Sequence, residues 1–123
     1  MKEDLLKIID TYGVMPQLKY FQSEVFELNE SIILYENTKR LLQLDVVQEK
    51  FEIYDIKRHI AEEIADVTVM LKQFQYYYGI SDEEIEEVMK FKVERTIKRM
   101  ENEYYEKWNM ERYKRIWGII SNK

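Results

Sequence analysis

Residues 16–35, PQLKYFQSEVFELNESIILY, place apolar side chains at alternating spacings of three and four residues. This spacing is typical of an amphipathic helix that packs one face against a protein core. Pro16 suits the first turn of such a helix, where its missing N–H breaks no intrahelical bond. The stretch therefore predicts a long helix whose apolar stripe comprises Leu18, Phe21, Val25, Leu28, Ile32 and Tyr35.

A second stretch repeats this spacing further along the chain. It is built from Ile60, Ile64, Val67, Leu71, Phe74 and Tyr78. Gly79 follows it and suits the left-handed conformation that ends many helices. We therefore predict a second long amphipathic helix. Thr38–Lys57, between the two stripes, has a blurred apolar pattern and is interpreted as a connection.

Two further helices are indicated at the ends of the chain. Glu3–Tyr12 stops at Gly13 and predicts a short, peripheral helix. Ser81 is followed three residues later by Glu84, which is the spacing of a capping box at a helix start. The candidate core residues of this last helix are Ile85, Met89, Val93, Thr96 and Met100. With no convincing strand pattern, the fold class is all-α: an antiparallel helical bundle of four to five helices.

Length and composition indicate one compact domain, residues 1–123, with one Pro, three Gly and no Cys. The absence of cysteine excludes disulfides and thiolate metal sites and favours a cytoplasmic location. Neither a signal peptide nor a membrane span is expected, because no apolar run is long enough. A formal charge of −5 argues against nucleic-acid binding, which relies on clustered cations.

Each long stripe carries two acids three residues apart: Glu24 with Glu27, and Glu63 with Asp66. Residues at this spacing are neighbours on one helix face. At about 100° per residue, Glu24 and Glu63 lie about 60 to 70° from the centres of their stripes, and the other two acids lie about 60° further round. If the helices pack side by side, four carboxylates converge at the border of the core.

Acids gathered beside a core repel one another and lose hydration, so a divalent cation would stabilise them. Mg²⁺ prefers oxygen ligands and often holds substrate phosphates as well. A di-iron bundle needs Glu-x-x-His motifs from two helices, but His59 is the single histidine, and Ile56 stands three residues before it. The acids therefore indicate Mg²⁺, with Mn²⁺ as an alternative, and phosphate chemistry.

Three segments in order resemble the motifs of the MazG-like all-α nucleoside triphosphate pyrophosphohydrolases. They are FQSEVFELNESI at 21–32, HIAEEIADVTVML at 59–71 and the basic KFKVERTIKR at 90–99. The resemblance covers roughly residues 16–100. It departs at Ser23, where many relatives carry another acid, and it does not extend to the middle connection or to the aromatic tail.

By this resemblance, Glu24, Glu27, Glu63 and Asp66 would be the Mg²⁺ ligands and the catalytic residues. The reaction would be attack of water on a ribo- or deoxyribonucleoside triphosphate, releasing pyrophosphate and leaving the monophosphate. A phosphoribosyl nucleotide would need the same metal chemistry and is an alternative substrate. The base and the sugar are left open.

Four further residues are candidates for substrate binding. Lys92, Arg95 and Arg99 lie within about 60° of one another on a helix, and such cations can hold a triphosphate or the departing pyrophosphate. The alternative is ordinary surface pairing with nearby glutamates. His59 stands one turn before Glu63 and is either a substrate contact, a proton carrier or an ordinary surface histidine. A carboxylate of the ligand shell could equally serve as the general base.

The apolar surface exceeds what four slim helices can cover, so a homodimer or homotetramer is expected. From about residue 102 the chain continues as an aromatic helical extension, which is assigned to that interface rather than to base stacking. Tyr76, Tyr77 and Tyr78 are interpreted in the same way. The alternative function is a non-catalytic helical interaction or regulatory module whose acids are merely hydrated.

Overall fold

The computed structural model describes residues 1–44 and 50–121, which form four α-helices and no strand. They are α1 (Lys2–Tyr12), α2 (Val14–Gln43), α3 (Lys50–Tyr77) and α4 (Asp82–Ser121). The all-α prediction is confirmed. The side chains of residues 50–52, 104–106, 108–109, 112–113 and 115–121 lie outside the description, and the predicted contacts of the aromatic extension fall there. Within the described ranges, no helix combines the length and apolar character that crossing a membrane requires.

Backbone contacts divide the chain into a first unit, Met1–Ile80, and a second unit, Ser81–Lys123. In the first unit α1, α2 and α3 pack on one another. Gln17 on α2 contacts Gln73 on α3, and further along α2 Glu24 approaches Asp66. Because the partners descend along α3 as the contacts ascend along α2, the two long helices are antiparallel.

The buried face of α2 follows a seven-residue repeat, and its most buried members are polar: Gln17, Glu24, Ser31 and Thr38. Phe21, Leu28 and Tyr35 lie half-buried between them. Leu18, Val25 and Ile32 were predicted to be core residues, and this is wrong, because they are 38%, 41% and 43% exposed. Phe21, Leu28 and Tyr35 belong to both the predicted stripe and the observed buried face, so the apolar pattern alone does not distinguish the two. The observed face is rotated by roughly 50° about the helix axis from the predicted one.

The α3 helix shows the same rotation. Its buried residues include Glu63 and Met70, and half-buried Ile60, Val67 and Phe74 continue this face. Ile64, Leu71 and Tyr78 were also predicted to be core residues, but they are exposed. Both long helices therefore meet along seams with the 3.5-residue period of coiled-coil packing, and their neighbouring apolar residues stay uncovered in the single chain.

The N-terminal helix ends at the predicted residue and begins one residue earlier than predicted, but the prediction that it is peripheral is wrong. Leu5 and Ile9 are buried, and Ile9 has no exposed surface. The helix packs on α3 and α2 because these two residues form an apolar edge, spaced four apart. Gly13 ends it with φ of 91° and donates its N–H to the Ile9 carbonyl at 2.8 Å. Since α2 begins at the next residue, this one glycine joins the two helices.

Most of the predicted connection between residues 38 and 57 is helical, which corrects that interpretation. Residues 38–43 complete α2 and residues 50–57 begin α3. Lys39, Arg40, Leu41 and Gln43 are good helix formers, so the helix continues although its apolar pattern weakens. Residues 45–49 lie outside the described part of the chain.

The second unit is the helix α4, and its predicted capping box is confirmed. Glu84 donates its N–H to Ser81 Oγ at 3.1 Å, and Ser81 donates its N–H to Glu84 Oε2 at 3.3 Å. The predicted core residues Ile85, Met89, Val93, Thr96 and Met100 are all exposed in the single chain, which corrects their assignment. The helix is continuous through residue 102 to Ser121, so the aromatic extension is part of it.

A buried pair of amides provides a test of the α2–α3 seam. Gln17 donates from Nε2 to Gln73 Oε1 at 2.8 Å, and both side chains are buried. The variant Gln17→Leu leaves the Gln73 oxygen buried without a donor, so we expect it to lose about 1 to 3 kcal/mol of unfolding free energy. The double variant Gln17→Leu/Gln73→Leu should recover most of that loss, because both polar groups are gone.

Urea unfolding followed by circular dichroism measures these differences, with an unchanged dependence on urea concentration as the sign of an intact fold. The single variant Gln73→Leu completes the comparison. A double variant that loses at least as much unfolding free energy as Gln17→Leu and Gln73→Leu lose together would contradict the pairing.

Candidate functional site

Three carboxylates meet in the first unit where α2 packs against α3. Glu24 comes from α2, and Glu63 and Asp66 come from α3. One oxygen of each lies within 4.8 Å of the others. The arrangement follows from the sequence, because Glu63 and Asp66 are neighbours on one helix face and the antiparallel seam sets Glu24 opposite them.

Two of the three carboxylates are buried more deeply than the sequence predicted. Glu24 is 5% exposed and Glu63 is 6% exposed, so both lie at the centre of the buried faces rather than at their borders. Oε2 of each is buried and has no hydrogen-bond partner within the described residues. Asp66 is exposed and opens the cluster to solvent. Buried carboxylate oxygens without partners are costly, and a cation would provide their missing partner.

Burial and neighbouring negative charges disfavour the ionised form of Glu63 in this cluster. Burial raises the pKa of this carboxyl above its usual range, and the negative charge of Glu27 raises it further. His59 opposes these effects, while Asp66 and Glu24 add smaller increases. Glu63 is therefore the acid whose charge this site disfavours most clearly when no cation balances it.

Glu27, the fourth predicted ligand, stands beside the three-residue cluster rather than in it. Its side chain is exposed, and it lines a cavity of about 440 Å³ together with Glu63 and His59. Its charge acts on Glu63, as the pKa shift shows. The structure thus brings three of the four predicted acids into ligand distance of one another and keeps the fourth as a neighbour.

His59 is held between two carboxylates of its own helix. Nε2 lies 3.2 Å from Glu63 Oε1, and Nδ1 lies 3.6 Å from Glu62 Oε2. The His59 side chain is 58% exposed. This residue therefore lies between the buried Glu63 and solvent, and its role as a substrate contact or proton carrier stays a prediction.

Tyr20 is a neighbour of the cluster that the sequence analysis missed. Its hydroxyl donates a hydrogen bond to the Glu24 carboxylate, and this bond and the charge of Glu24 raise the pKa of Tyr20 above its usual value. Burial and the charges of Asp66 and Glu27 add to the shift. The signal in the sequence was the spacing, since Tyr20 stands one helical turn before Glu24.

A cavity of about 600 Å³ adjoins the cluster and is bordered by α1, α2 and α3. Glu24 and Asp66 line one part of it, and the amide pair Gln17 and Gln73 lines another. The sequence analysis missed these glutamines as well. Each stands seven residues from an acid of the cluster, Gln17 before Glu24 and Gln73 after Asp66, so each shares its acid's side of the helix.

The predicted basic residues Lys92, Arg95 and Arg99 are exposed on α4, in the second unit. Their spacing of three and four residues keeps them on one side of this helix. The guanidinium carbon of Arg95 lies 5.9 Å from the centroid of the Phe91 ring. Contact with a substrate stays a prediction for all three.

The donor set fits a hard divalent cation. Three carboxylates offer only oxygen atoms, which Mg²⁺, Mn²⁺ and Ca²⁺ prefer, and two of these groups carry buried oxygens that lack partners among the described residues. The cluster can therefore bind a metal ion, whose identity these donors do not distinguish.

The raised pKa of Glu63 predicts a pH-dependent stability. In the unfolded chain this carboxyl loses its proton at its ordinary pKa, but in the folded protein it does so only at a higher pH. Stability therefore falls as pH rises through that interval and stays lower above it. In EDTA, we expect Glu63→Gln to raise the thermal midpoint by a few degrees near pH 7 and to change it little near about pH 4.

Thermal unfolding followed by circular dichroism between about pH 4 and about pH 8 measures this difference. Glu36→Gln removes an exposed acid of α2 outside the carboxylate cluster and serves as the matched control. A Glu63→Gln variant that is less stable than the natural protein near pH 7 in EDTA would contradict the prediction.

Compared with models of known protein families, with curated proteins and with solved structures, the chain matches none.

Proposed function

We propose that the protein is a Mg²⁺-dependent nucleotide pyrophosphohydrolase that cleaves a nucleoside triphosphate, or a related nucleotide, to the monophosphate and pyrophosphate. The observation that carries the proposal is the convergence of Glu24, Glu63 and Asp66 at the edge of a cavity. Two of them are buried, with oxygens that have no partner in the part of the chain that the structure describes. A merely hydrated acidic surface would not bury these groups. The order of the motifs in the sequence supports the same reaction class.

Glu24, Glu63 and Asp66 hold the cation in this proposal, and Mn²⁺ is an alternative to Mg²⁺. When bound, the divalent cation supplies positive charge that orients phosphate oxygens and stabilises the charge of the pyrophosphate leaving group. Tyr20 orients the Glu24 carboxylate through its hydrogen bond. Asp66 is the exposed member of the three and lines the cavity together with Glu24, so both carboxylates adjoin the space open to a phosphate group.

Two groups beside the cluster are able to take the proton of the attacking water. The Glu27 carboxylate is exposed in the cavity that Glu63 and His59 also line. His59 Nε2 lies 3.2 Å from Glu63 Oε1, and the exposed His59 side chain reaches solvent. The imidazole can therefore transfer a proton between Glu63 and solvent. Lys92, Arg95 and Arg99 are proposed to bind the phosphate chain, and their positive charges and shared side of α4 support this role.

A non-catalytic interaction module is the second candidate, and the exposed apolar side chains of α4 favour it. Ile85, Met89, Val93, Ile97 and Met100 lie within about 120° of one another on that helix. Such a stripe is typical of a helix that packs against another chain. The two candidates differ in their response to cations: the enzyme is stabilised by millimolar Mg²⁺ beyond what Na⁺ achieves at equal ionic strength, and a hydrated acidic surface is not.

The same stripe supports the proposal that two or four copies of the chain associate. The uncovered apolar residues of α2 and α3, including Val25 and Leu71, add to the surface that a second copy would cover. Association is compatible with either function, because the three carboxylates come from one chain. A cytoplasmic location is proposed with it, in keeping with the absence of cysteine.

Self-association predicts a particle mass of two or four times 15.2 kDa by light scattering at micromolar concentration. Val93→Glu places a charge in the α4 stripe and should shift the mass towards the monomer. Asn102→Glu adds the same charge about 180° round the helix and should leave the mass unchanged. A natural protein with the monomer mass, or equal masses for both variants, would contradict the α4 interface.

The proposed reaction predicts the products of a simple incubation. With Mg²⁺, at least one of the common ribo- and deoxyribonucleoside triphosphates should yield monophosphate and pyrophosphate in equal amounts, separated by chromatography. EDTA should abolish the reaction, and Glu63→Gln should reduce its rate by about a hundredfold or more.

Glu36→Gln is the control and should keep the natural rate. Diphosphate plus phosphate as products would contradict the proposed bond. Intact triphosphates throughout, with no specific effect of Mg²⁺ on stability, would favour the interaction module.

A further inference from the structure

We propose that the cavity between α1, α2 and α3 binds the purine or pyrimidine base of the substrate, and that the amide pair Gln17 and Gln73 recognises its polar edge. The inference rests on the proposed function, which it deepens by assigning a site to the part of the nucleotide that does not react. It concerns the first unit alone, since every residue that lines this cavity lies within it.

The position of the cavity is the first support. Glu24 and Asp66 belong both to its lining and to the carboxylate cluster. A ligand in the cavity therefore has one end beside the proposed cation. A nucleotide has this polarity, because its phosphates bind cations and its base is attached through the sugar at the other end.

The size and the apolar lining are the second support. A volume of about 600 Å³ lies within the range of small-molecule sites. Ile8, Pro16, Val69 and Met70 give apolar contact, and Tyr12 adds an aromatic ring that is 65% exposed. Flat apolar surfaces and an accessible ring suit a planar heteroaromatic group, which gains from stacking and from leaving water.

The amide pair is the third support. Gln17 uses one Nε2 hydrogen to bind Gln73 Oε1, and Gln73 donates to Met70 Sδ at 3.6 Å. Gln17 lines the cavity, and this bond leaves its carbonyl oxygen as an acceptor and the second N–H of its amide as a donor for a ligand. Nucleobases carry donors and acceptors in adjacent positions on their edges, and glutamine matches such an edge with two hydrogen bonds. Because Gln73 holds the Gln17 amide, this recognising group is already fixed in place.

On each long helix, the glutamine proposed to bind the base lies seven residues from an acid of the cluster. Gln17 and Glu24 are one heptad apart on α2, and Gln73 and Asp66 are one heptad apart on α3. Tyr20 lies between Gln17 and Glu24, lines the same cavity and binds Glu24 through its hydroxyl. A base held at the amides would place the rest of the nucleotide along this path towards the carboxylates.

Binding of nucleosides without phosphate tests the inference separately from hydrolysis. Adenosine, guanosine, cytidine, uridine and thymidine are titrated into the full chain in EDTA and followed by NMR, with ribose as the control. At least one nucleoside should bind about tenfold or more tightly than ribose. The double variant Gln17→Leu/Gln73→Leu should weaken that binding about tenfold, because the polar edge of the base loses its partners.

A matched pair of variants tests whether this cavity is the site. Val69 lines it and Val25 does not, and each is 41% exposed on its helix. Val69→Trp should fill the cavity and abolish nucleoside binding, whereas Val25→Trp should leave it unchanged. Circular dichroism confirms that each variant is folded before its binding is compared.

The outcomes separate this inference from the proposed function. Nucleosides that bind no better than ribose, or that bind the folded Val69→Trp variant normally, overturn the base site even if triphosphates are hydrolysed. Selective nucleoside binding that is weakened by Gln17→Leu/Gln73→Leu and by Val69→Trp supports the base site even if no hydrolysis is found. In that case the proposed reaction is wrong and the base site is retained.

Discussion

The burial of two carboxylates where α2 crosses α3 is the constraint on which the rest of the first unit depends. Glu24 and Glu63 occupy positions of the helix seam that an apolar residue would ordinarily fill. Their charges oppose close packing, while the Phe21 and Phe74 rings, with centroids 5.8 Å apart, join the same two helices elsewhere along the seam. The fold therefore keeps like charges close at some cost in stability, which is common where a protein binds a cation.

Polar residues along the seam also give it a defined register. Gln17, Glu24, Ser31 and Thr38 recur every seven residues on α2, and only some pairings across the seam satisfy them. Purely apolar seams tolerate sliding, whereas a buried amide that needs one specific partner does not. The Gln17–Gln73 hydrogen bond thus helps to fix which residues face each other at the carboxylates.

Much of this structure is predictable from the sequence because apolar spacing, glycines and caps act locally. The helical class, the end of α1 at Gly13 and the start of α4 after Ser81 follow from such signals. The acid pairs also indicate three of the carboxylates that cluster, since residues three apart share a helix face. The rotation of the seam is not predictable in this way: Phe21 fits either face, and only packing between helices decides whether Val25 or Glu24 is buried. For the same reason, the burial and pairing of Gln17 and Gln73 could not be predicted from the sequence, because they depend on how the two helices pack.

The seven-residue offset between the amide pair and the acids limits how this protein can change length during evolution. One inserted residue between Gln17 and Glu24 would rotate one side chain by about 100° relative to the other, so that they would no longer share one side of the helix. An insertion of seven would restore the direction but move them about 10 Å further apart along the helix. Substitutions keep this offset, whereas insertions and deletions within these two heptads change it.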